Sequence, residues 1–342
     1  MKLERQKLLA KVAYLYYMEG KSQSEIANEL GIYRTTISRM LAKAREEGLV
    51  RIEISDFNPE IFQLESYFKS KYHLKDIEIV SSRKDSDTSE IEKDLAHVAA
   101  AMIRKKIKEN DKVGIAWGRT LSKVVEAMRP HPVSQVSFVP LAGGPSHINA
   151  RYHVNTLVYE MSRRFQGSCT FINATLVQEN ANLAKGILTS KYFEGLMDNW
   201  EKLDVAIVGV GGKPKSNEQQ WLDLLNQDDF QCLDEEAAVG EITCRFFNHS
   251  GDPVNQHLAK RTIGITLEQL QKVPNRIAVA HGNYKAAALL AVLKKGYINH
   301  LVTDFSTALN ILRLDKDTFV DTIISKELGI NPSSFDNVSI TK

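Results

Sequence analysis

The chain has 342 residues, 43% of them hydrophobic and 25% charged, and its formal net charge is +2 at pH 7. This length and composition exclude wholesale disorder and predict one large α/β domain with a smaller companion. The longest apolar runs, such as residues 286–293, are too short to span a bilayer, and the first residues are charged where a signal peptide needs an apolar stretch. We therefore expect a cytoplasmic protein with no membrane contact.

The spacing of cysteine and histidine gives no support for a metal site. Cys169, Cys232 and Cys244 are odd in number and widely spaced, which fits neither a disulfide framework nor a pair of zinc ligands. The nine histidines form no HExxH motif. The sequence therefore predicts reduced thiols, no metal and no cofactor.

Charge is distributed unevenly along the chain. Residues 1–55 contain ten Lys and Arg against seven Asp and Glu, whereas the remainder is nearly neutral. A basic segment at one end of a near-neutral chain favours contact between that segment and a polyanion.

Residues 1–55 predict a winged helix-turn-helix domain. Helical spacing of apolar residues indicates a first helix, and a second begins at Ser22 with a capping box and ends at Gly31. A third helix follows over 34–47. Ala27, Gly31 and Ile37 supply the small contact residue, the turn glycine and the apolar plug of a helix-turn-helix. Residues 49–54 alternate with period two, which predicts a wing strand.

The polar face of the third helix suits DNA. Its side chains can bond guanine edges, meet thymine methyl groups or hold phosphates. The candidate DNA-binding residues are Tyr33, Arg34, Thr35, Thr36, Ser38, Arg39 and Lys43. A three-helix bundle with a merely polar outer face is the alternative.

The segment 56–75 predicts a linker or oligomerisation helix. After Pro59, Ile61, Leu64 and Phe68 repeat at helical spacing. From sequence, this amphipathic helix serves equally well to join the two domains or to pair with another subunit.

Residues 76–342 predict a Rossmann-like α/β domain. A strand over 76–80 and a loop over 81–89 precede an alternation typical of a parallel sheet covered by helices on both faces. The predicted helices are 96–107, 121–128, 155–165 and 284–294, and the further strands are 113–116, 136–140, 205–210, 277–280 and 301–303. In such sheets ligands bind at the carboxyl ends of the strands.

Four predicted strand ends carry glycine-rich turns that can bind an anion, over 114–120, 139–145, 208–212 and 280–285. The first opens a helix, so its amides, the Thr120 hydroxyl and the helix dipole suit a negative charge, and the last adds Lys285. Together they favour a phosphorylated small molecule, with tight turns of no ligand role as the alternative. The third glycine of a dinucleotide fingerprint would fall on Pro214, and a P-loop motif is missing from the sequence.

Six further blocks occur in order along the larger domain: 114–121 (GIAWGRTL), 138–144 (FVPLAGG), 238–242 (AVGEI), 246–254 (FFNHSGDPV), 261–265 (RTIGI) and 279–304 (VAHGNYKAAALLAVLKKGYINHLVTD). Together with the helix-turn-helix over 23–44, these blocks resemble the SorC/DeoR-type sugar-responsive bacterial transcriptional regulators. The resemblance extends over nearly the whole chain.

The resemblance implies a fold similar to sugar-phosphate isomerases and deaminases, operator DNA as a partner, a phosphorylated sugar as effector, and a homo-oligomer, a tetramer. Carried over by position, it implies that the phosphate is held by Gly118, Arg119, Thr120, Gly143, Gly144 and Lys285, with Glu241 near the sugar hydroxyls. The chain departs from the family at Tyr33, where relatives usually have a small capping residue, at His281, where they commonly have glycine, and at Glu241, where they usually have Asp.

Two functions are compatible with these features. The first is a DNA-binding regulator of a carbohydrate-utilisation operon, controlled by a phosphorylated sugar. The second is a sugar-phosphate isomerase or aminosugar-phosphate deaminase with a DNA-binding head, which needs a positioned acid and base. Deaminases of the similar fold follow their glycine-rich strand end with Asp-Gly-His, whereas this chain continues Gly211-Gly212-Lys213-Pro214. We therefore predict a regulator without enzymatic activity.

Overall fold

The structure is a computed structural model that describes residues 2–50, 58–81, 88–145, 149–215, 221 and 224–327. The chain divides into two units between Asn58 and Pro59. Each unit has its own buried core, as described below.

The amino-terminal unit contains three helices: α1 (Lys2–Tyr17), α2 (Gln23–Leu30) and α3 (Arg34–Glu46). The predicted capping box is confirmed, since Ser22 Oγ accepts from the Glu25 amide and the Glu25 carboxylate accepts from the Ser22 amide. Gly31 ends α2 at φ 62°, a left-handed conformation that glycine adopts without strain. Ile37 is fully buried against α1 and α2 and forms the predicted plug. Most of the predicted wing strand lies outside the described residues.

The larger unit contains a seven-stranded sheet in which every pair of neighbours runs parallel. This confirms the predicted fold class. The spatial order is β1-β10-β9-β5-β2-β3-β4, and a separate antiparallel sheet has the order β6-β7-β8. The strands are β1 (Asp76–Val80), β2 (Lys112–Ile115), β3 (Ser137–Pro140), β4 (Ser168–Cys169), β5 (Val205–Gly209), β6 (Gly211–Gly212), β7 (Ala238–Ile242), β8 (Arg245–Asn248), β9 (Asn275–Val279) and β10 (His300–Asp304).

The helices of the larger unit cover the sheet and fill the connections between strands. They are α4 (Pro59–Lys71), α5 (Thr88–Lys106), α6 (Arg119–Ala127), α7 (Val154–Phe165), α8 (Ala181–Leu188), α9 (Lys191–Glu201), α10 (Gln227–Glu235), α11 (Gln256–Arg261), α12 (Leu267–Lys272), α13 (Ala286–Lys295), α14 (Phe305–Leu314) and α15 (Phe319–Glu327). Short 3-10 turns cover Ala150–Tyr152 and Asn283–Lys285. Helix α5 begins at Thr88, inside the segment that the sequence predicts as a loop. The sequence does not predict this start because the first turns of the helix are too polar to show a helical apolar pattern.

Helix α4 is part of the larger unit, whereas the sequence predicted a separate segment over 56–75. Leu64 and Phe68 are fully buried in the main core. Near the end of α4, the Tyr67 hydroxyl donates to Asp317 at 2.7 Å, and the Tyr72 hydroxyl, just beyond the helix, donates to Asp315 at 3.0 Å. Its apolar face is therefore used within the chain, which the apolar spacing alone did not reveal.

The chain reverses its direction across the sheet between β2 and β5. Strand β2 leads through α6 to β3 on one side, whereas β5 lies on the other side of β2 and is followed across the sheet by β9 and β10. Loops that leave adjacent strands in opposite directions open a crevice at their carboxyl ends. The fold therefore places the loops after β2 and β5 at the natural ligand position.

The small sheet β6-β7-β8 packs into a second core, separate from that of the main sheet, with Trp221, Leu233 and Phe246 among its buried residues. Arg245 fixes this region, since its guanidinium donates to the carbonyls of Ala259, Thr262, Gly264 and Ile265. A buried ion pair joins Arg261 to Asp229 at 2.6 Å. The second core is therefore held by buried polar contacts as well as by apolar packing.

His300 begins β10 and is only 1% exposed. Its Nδ1 lies 2.8 Å from Asn299 Oδ1, and its Nε2 has no hydrogen-bond partner in the described part of the chain. Burial lowers the pKa of His300 from 6.5 to about 4. The folded state therefore favours the neutral imidazole over the imidazolium.

This histidine predicts a loss of stability in acid. Between pH 6.5 and about 4 the unfolded chain binds a proton at His300 that the folded chain excludes, so the free energy of unfolding falls as the pH falls. Over this pH range, protonation of His300 should lower the free energy of unfolding by an amount on the order of 2–3 kcal/mol. His300→Gln removes it, so the stability difference between wild type and variant should narrow on acidification. Equilibrium urea unfolding across this pH range measures the effect.

The matched control is His249→Gln, because His249 lies on an exposed turn. The free energy of unfolding of the His249→Gln variant should change with pH in the same way as that of the wild type. Parallel pH profiles for wild type and His300→Gln would contradict the assignment.

Candidate functional site

The predicted DNA-binding residues lie together along α3. Tyr33, Arg34, Thr35, Thr36, Ser38 and Arg39 are exposed, and Lys43 is half-buried with its Nζ 3.6 Å from Glu47. The opposite side of the helix is buried through Ile37, Leu41 and Ala44. The helix therefore presents one polar, basic surface and packs through the other.

Tyr33 occupies the N-cap position of α3 and is 85% exposed. Its side chain makes no capping hydrogen bond within the described residues. Tyr33 therefore does not act as a side-chain cap here, and its phenol lies in solvent at the start of the helix.

A cavity of about 600 Å³ lies at the carboxyl ends of β2, β5 and β9. Three of the four predicted glycine-rich turns line it, those after β2, β5 and β9. The predicted residues on its wall are Gly118, Arg119, Thr120, Glu241 and Lys285. The cavity therefore lies at the topological reversal of the sheet.

The amino terminus of α6 forms one end of this cavity. Gly118 is the N-cap at φ 126°, a conformation that strongly favours glycine, and its own amide donates to the Tyr152 carbonyl at 3.1 Å. A glycine N-cap has no side chain with which to cap the following amides. The first turn, with Arg119 and Thr120, thus presents to the cavity a positive helix end whose amides have no side-chain cap from the N-cap residue in the described structure.

Glu92 of α5 organises the cations beside that helix end. Its side chain is 9% exposed and forms ion pairs with Arg119 and Lys123, and Nε2 of His281 lies 3.6 Å from the same carboxylate. Burial alone would raise the pKa of Glu92, but hydrogen bonds from Lys123 and Arg119 outweigh it and lower that pKa. Burial, with Lys285 nearby, lowers the pKa of His281. Glu92 is therefore held as a carboxylate and His281 as a neutral imidazole.

Lys285 and Glu241 contribute opposite charges to another part of the wall. Burial lowers the pKa of Lys285, against the attraction of Glu241, and burial raises the pKa of Glu241, against a hydrogen bond from the Cys244 amide at 2.8 Å. A Cβ at Gly211 would collide with the Glu241 carboxylate. Glycine at this position is therefore what admits the acid to the cavity.

Hydrogen bonds to the start of α14 hold the loop that carries Lys285. Gly282 adopts φ 101°, and its amide donates to Thr307 Oγ1 at 2.8 Å and to Asp304 Oδ2 at 3.2 Å. These bonds tie the loop after β9 to the start of α14. The lysine is thus presented by a rigid turn.

Gly143 and Gly144 do not line this cavity, which differs from the prediction. A Cβ at Gly143 would lie 2.6 Å from the Thr175 carbonyl oxygen, and one at Gly144 would overlap the His153 imidazole. Gly144 lines a separate depression of about 540 Å³ with His153 and Thr175. Close packing of the loop after β3 therefore explains these glycines without a ligand in the main cavity.

Several cavity residues were not predicted from sequence, among them Glu92, Trp117, Lys215, Trp221, Thr243 and Tyr284. Trp117 stands directly before Gly118, so its place in the first glycine-rich turn was the available signal. The sequence gives no signal for Glu92, because its helix was predicted to begin at residue 96. Thr243 lies between β7 and β8, a hairpin that the sequence analysis did not predict.

Within the described ranges, no group of three or more His, Cys, Asp or Glu side chains is arranged to hold a metal ion. Over the same ranges, no helix is both long enough and apolar enough to cross a membrane.

A helix-turn-helix unit and an α/β unit with an anion-suited cavity define a DNA-binding protein with a ligand-binding domain. Residues 58–313 match the sugar-binding domain family (Sugar-bind), and residues 11–53 match a helix-turn-helix domain. The chain therefore belongs to the SorC/DeoR family and is a DNA-binding transcriptional regulator.

Named relatives agree with this assignment. The chain is 33% identical to the sorbitol operon regulator of Klebsiella pneumoniae over 90% of this chain and 98% of that protein, and the full-length crystal structure of that regulator, SorC, matches with a TM-score of 0.71. It is 30% identical to the deoxyribonucleoside regulator of Bacillus subtilis (strain 168), over 90% of this chain and 98% of that one. The crystal structure of a transcriptional regulator from Streptococcus pneumoniae TIGR4 is 47% identical, with a TM-score of 0.74, over 77% of this chain and 100% of that one.

The contact between β7 and α13 positions Glu241 and Lys285 and depends on Gly240. A Cβ at Gly240 would overlap that of Ala288 and lie 2.5 Å from the Gly211 carbonyl oxygen. Gly240→Ala should therefore lower the free energy of unfolding by about 1–3 kcal/mol through overpacking. Chemical denaturation of the purified protein measures the change.

Gly186→Ala is the matched control. Gly186 lies inside α8, and a Cβ there would meet no atom within 4 Å. This substitution should leave stability unchanged or raise it by up to about 1 kcal/mol, because alanine favours the helix. If Gly240→Ala were as stable as Gly186→Ala, the close contact between β7 and α13 would be refuted.

Proposed function

We propose that this regulator controls a carbohydrate-utilisation operon in response to a phosphorylated sugar bound in the cavity at the carboxyl ends of β2, β5 and β9. One observation carries the proposal: three anion-suited turns from different parts of the chain line one cavity together with Arg119 and Lys285. A volume of about 600 Å³ is within the range of small-molecule sites.

The cavity favours a ligand with two chemically different ends. The uncapped amides at the start of α6, with Arg119 and Thr120, suit a phosphate group. Glu241 and Thr243, which line the same cavity, suit hydroxyl groups. A carboxylate accepts hydrogen bonds, and the Thr243 hydroxyl, which donates to the Ile242 carbonyl at 2.7 Å, can still accept one. Lys285 adds positive charge to the same lining. Sugar phosphates combine both kinds of end, and we assign Gly118, Arg119, Thr120, Lys285 and Glu241 to their recognition.

For DNA, we propose that α3 enters the major groove of the operator. Arg34 and Arg39 reach guanine edges, Thr35 and Thr36 meet thymine methyl groups, and Ser38 and Lys43 hold phosphates. Tyr33, exposed at the start of the helix, contacts the sugar-phosphate backbone. The exposure of these side chains on one face supports this arrangement.

We further propose a cytoplasmic homo-tetramer without enzymatic activity, in which residues 1–55 bind DNA. Light scattering of the full-length protein in solution tests the tetramer. Incubation of the purified protein with glucosamine 6-phosphate or a pentose phosphate tests for turnover. The chain lacks the Asp-Gly-His element after its glycine-rich strand end, which supports a binding role for the cavity.

Lys285→Met should abolish stabilisation by sugar phosphates, because the ligand phosphate loses its buried cation. A bound effector at a hundredfold excess over Kd should raise the Tm of the wild type by about 4–5 °C. The measurement is a thermal-shift panel of phosphorylated sugars. Lys191→Met, at an exposed position on α9, is the control and should respond like the wild type. An equal response in Lys285→Met would remove Lys285 from the site.

Replacing both Arg34 and Arg39 by Ala should reduce the salt dependence of DNA binding. If each neutralises a DNA phosphate in the non-specific complex, the slope of log Kobs against log[salt] on a generic duplex becomes shallower by about two per DNA-bound unit. Fluorescence anisotropy at increasing salt measures the slope. The control replaces two exposed cations of the larger unit, Arg163 and Lys202, and should keep the wild-type slope. Identical slopes for both double variants would exclude Arg34 and Arg39 as phosphate contacts in the non-specific complex.

A further inference from the structure

Trp117 is the aromatic side chain nearest in sequence to the anion-suited end of the cavity. It lines the cavity and directly precedes Gly118, the N-cap of α6. Trp117 and the first turn of α6 line the same cavity, so a ligand bonded at that turn shares the cavity with the indole. The side chain is only half-buried, so part of its surface remains open.

The indole packs between the two cores of the larger unit. Trp117 packs against both the main core and the second core. The ring of Trp221 lies 6.3 Å away at 63°, and Trp221 in turn packs 5.6 Å from Phe246. Trp221 is only 4% exposed, so the residue that contacts the Trp117 ring is itself buried. A ligand that meets this wall therefore does not have to order a mobile side chain.

The wall is chemically different from the rest of the cavity. Glu241 and Thr243 supply polar groups to the same cavity, whereas Trp117 and Trp221 supply an apolar aromatic surface. A cyclic sugar has a matching asymmetry, because its C–H groups form an apolar face and its hydroxyls form a polar rim. The face of an aromatic ring carries partial negative charge and attracts such C–H groups. Inorganic phosphate has no apolar face, and a flexible open-chain ester must lose conformational freedom to present one.

We propose that Trp117 is a specificity-determining residue that stacks on the closed ring of a sugar phosphate and selects cyclic sugar phosphates over open-chain ones. The inference rests on the proposed function, because it takes the phosphate of the ligand to lie at the first turn of α6. Beyond the proposed function, it specifies that the ligand binds in its ring form and that Trp117 recognises this form.

The test compares ring-form and open-chain ligands by calorimetry on the full-length protein. The probes are inorganic phosphate, glucose 6-phosphate, mannose 6-phosphate and ribose 5-phosphate, and the alditol phosphates obtained from these sugars by borohydride reduction. The wild type should bind at least one sugar phosphate about tenfold more tightly than its own alditol. Trp117→Met, which replaces the ring by a flexible apolar chain, should remove that preference and leave affinity for inorganic phosphate within about twofold. Trp117→Phe should retain most of the preference.

Three outcomes would overturn the inference: no preference for the ring form in the wild type, a preference that survives in Trp117→Met, or an equal loss of sugar phosphate and inorganic phosphate in that variant. The last result would mean that Trp117 only shapes the turn. If the methionine variant does not fold, the ring preference of the wild type decides the matter. If inorganic phosphate binds the wild type and no sugar phosphate binds more tightly, this inference fails and the phosphate site stands. If no probe binds the wild type, the proposed function fails as well.

Discussion

The cavity depends on the reversal of chain direction between β2 and β5. Because all neighbours in the main sheet are parallel, their carboxyl ends share one edge, and the loops that leave β2 and β5 diverge there. The same edge receives the loop after β9, which carries Lys285. Residues more than 160 positions apart, Arg119 and Lys285, thus reach one site without any local sequence signal that links them. Sheet topology supplies what spacing along the chain cannot.

A second constraint is that the buried carboxylate beside the cavity already has cationic partners within the protein itself. Glu92 is almost fully buried and is compensated by Arg119 and Lys123. A buried carboxylate without partners would cost several kcal/mol, and the two cations together remove that cost. Arg119 still has donors beyond the one it gives to Glu92, since a guanidinium carries five. It can therefore bind a ligand anion while remaining tethered, and the tether limits the conformational freedom that binding would otherwise remove.

The sequence predicted local features well and non-local ones unevenly. The capping box at Ser22, the turn at Gly31 and the plug at Ile37 follow from contacts within a few residues, and all three are confirmed. The parallel sheet follows from the alternation of helices and strands. By contrast, glycine-rich turns after β3 and β5 look alike in sequence but differ in space. Gly211 leaves room for Glu241 at the cavity, whereas Gly143 leaves room for the backbone of Thr175 elsewhere.

The features that sequence missed share one physical cause, which is that their function lies in a partner distant along the chain. Glu92 sits in a polar helix turn and gains its role only from Arg119, Lys123 and His281. Thr243 and Cys244 adopt φ of 53° and 62°, values that pattern analysis reserves for glycine or asparagine, so the β7-β8 hairpin was not recognised. The Glu241 carboxylate accepts from the Cys244 amide and helps to hold that turn. Glu241, which lines the cavity, therefore also stabilises the turn that follows its own strand.

This double role bears on how a ligand could influence the rest of the protein. A ligand shifts an equilibrium between two states only by the difference in its affinity for them. In this cavity, that difference can arise where ligand groups compete with internal contacts, as between Glu241 and the Cys244 amide or between Glu92 and Arg119. Contacts to the uncapped amides of α6 displace no side-chain cap, because Gly118 has no side chain to provide one. A ligand bound at the helix end as proposed would therefore gain affinity there, whereas its contact with the two carboxylates is where binding would be coupled to a change in the protein.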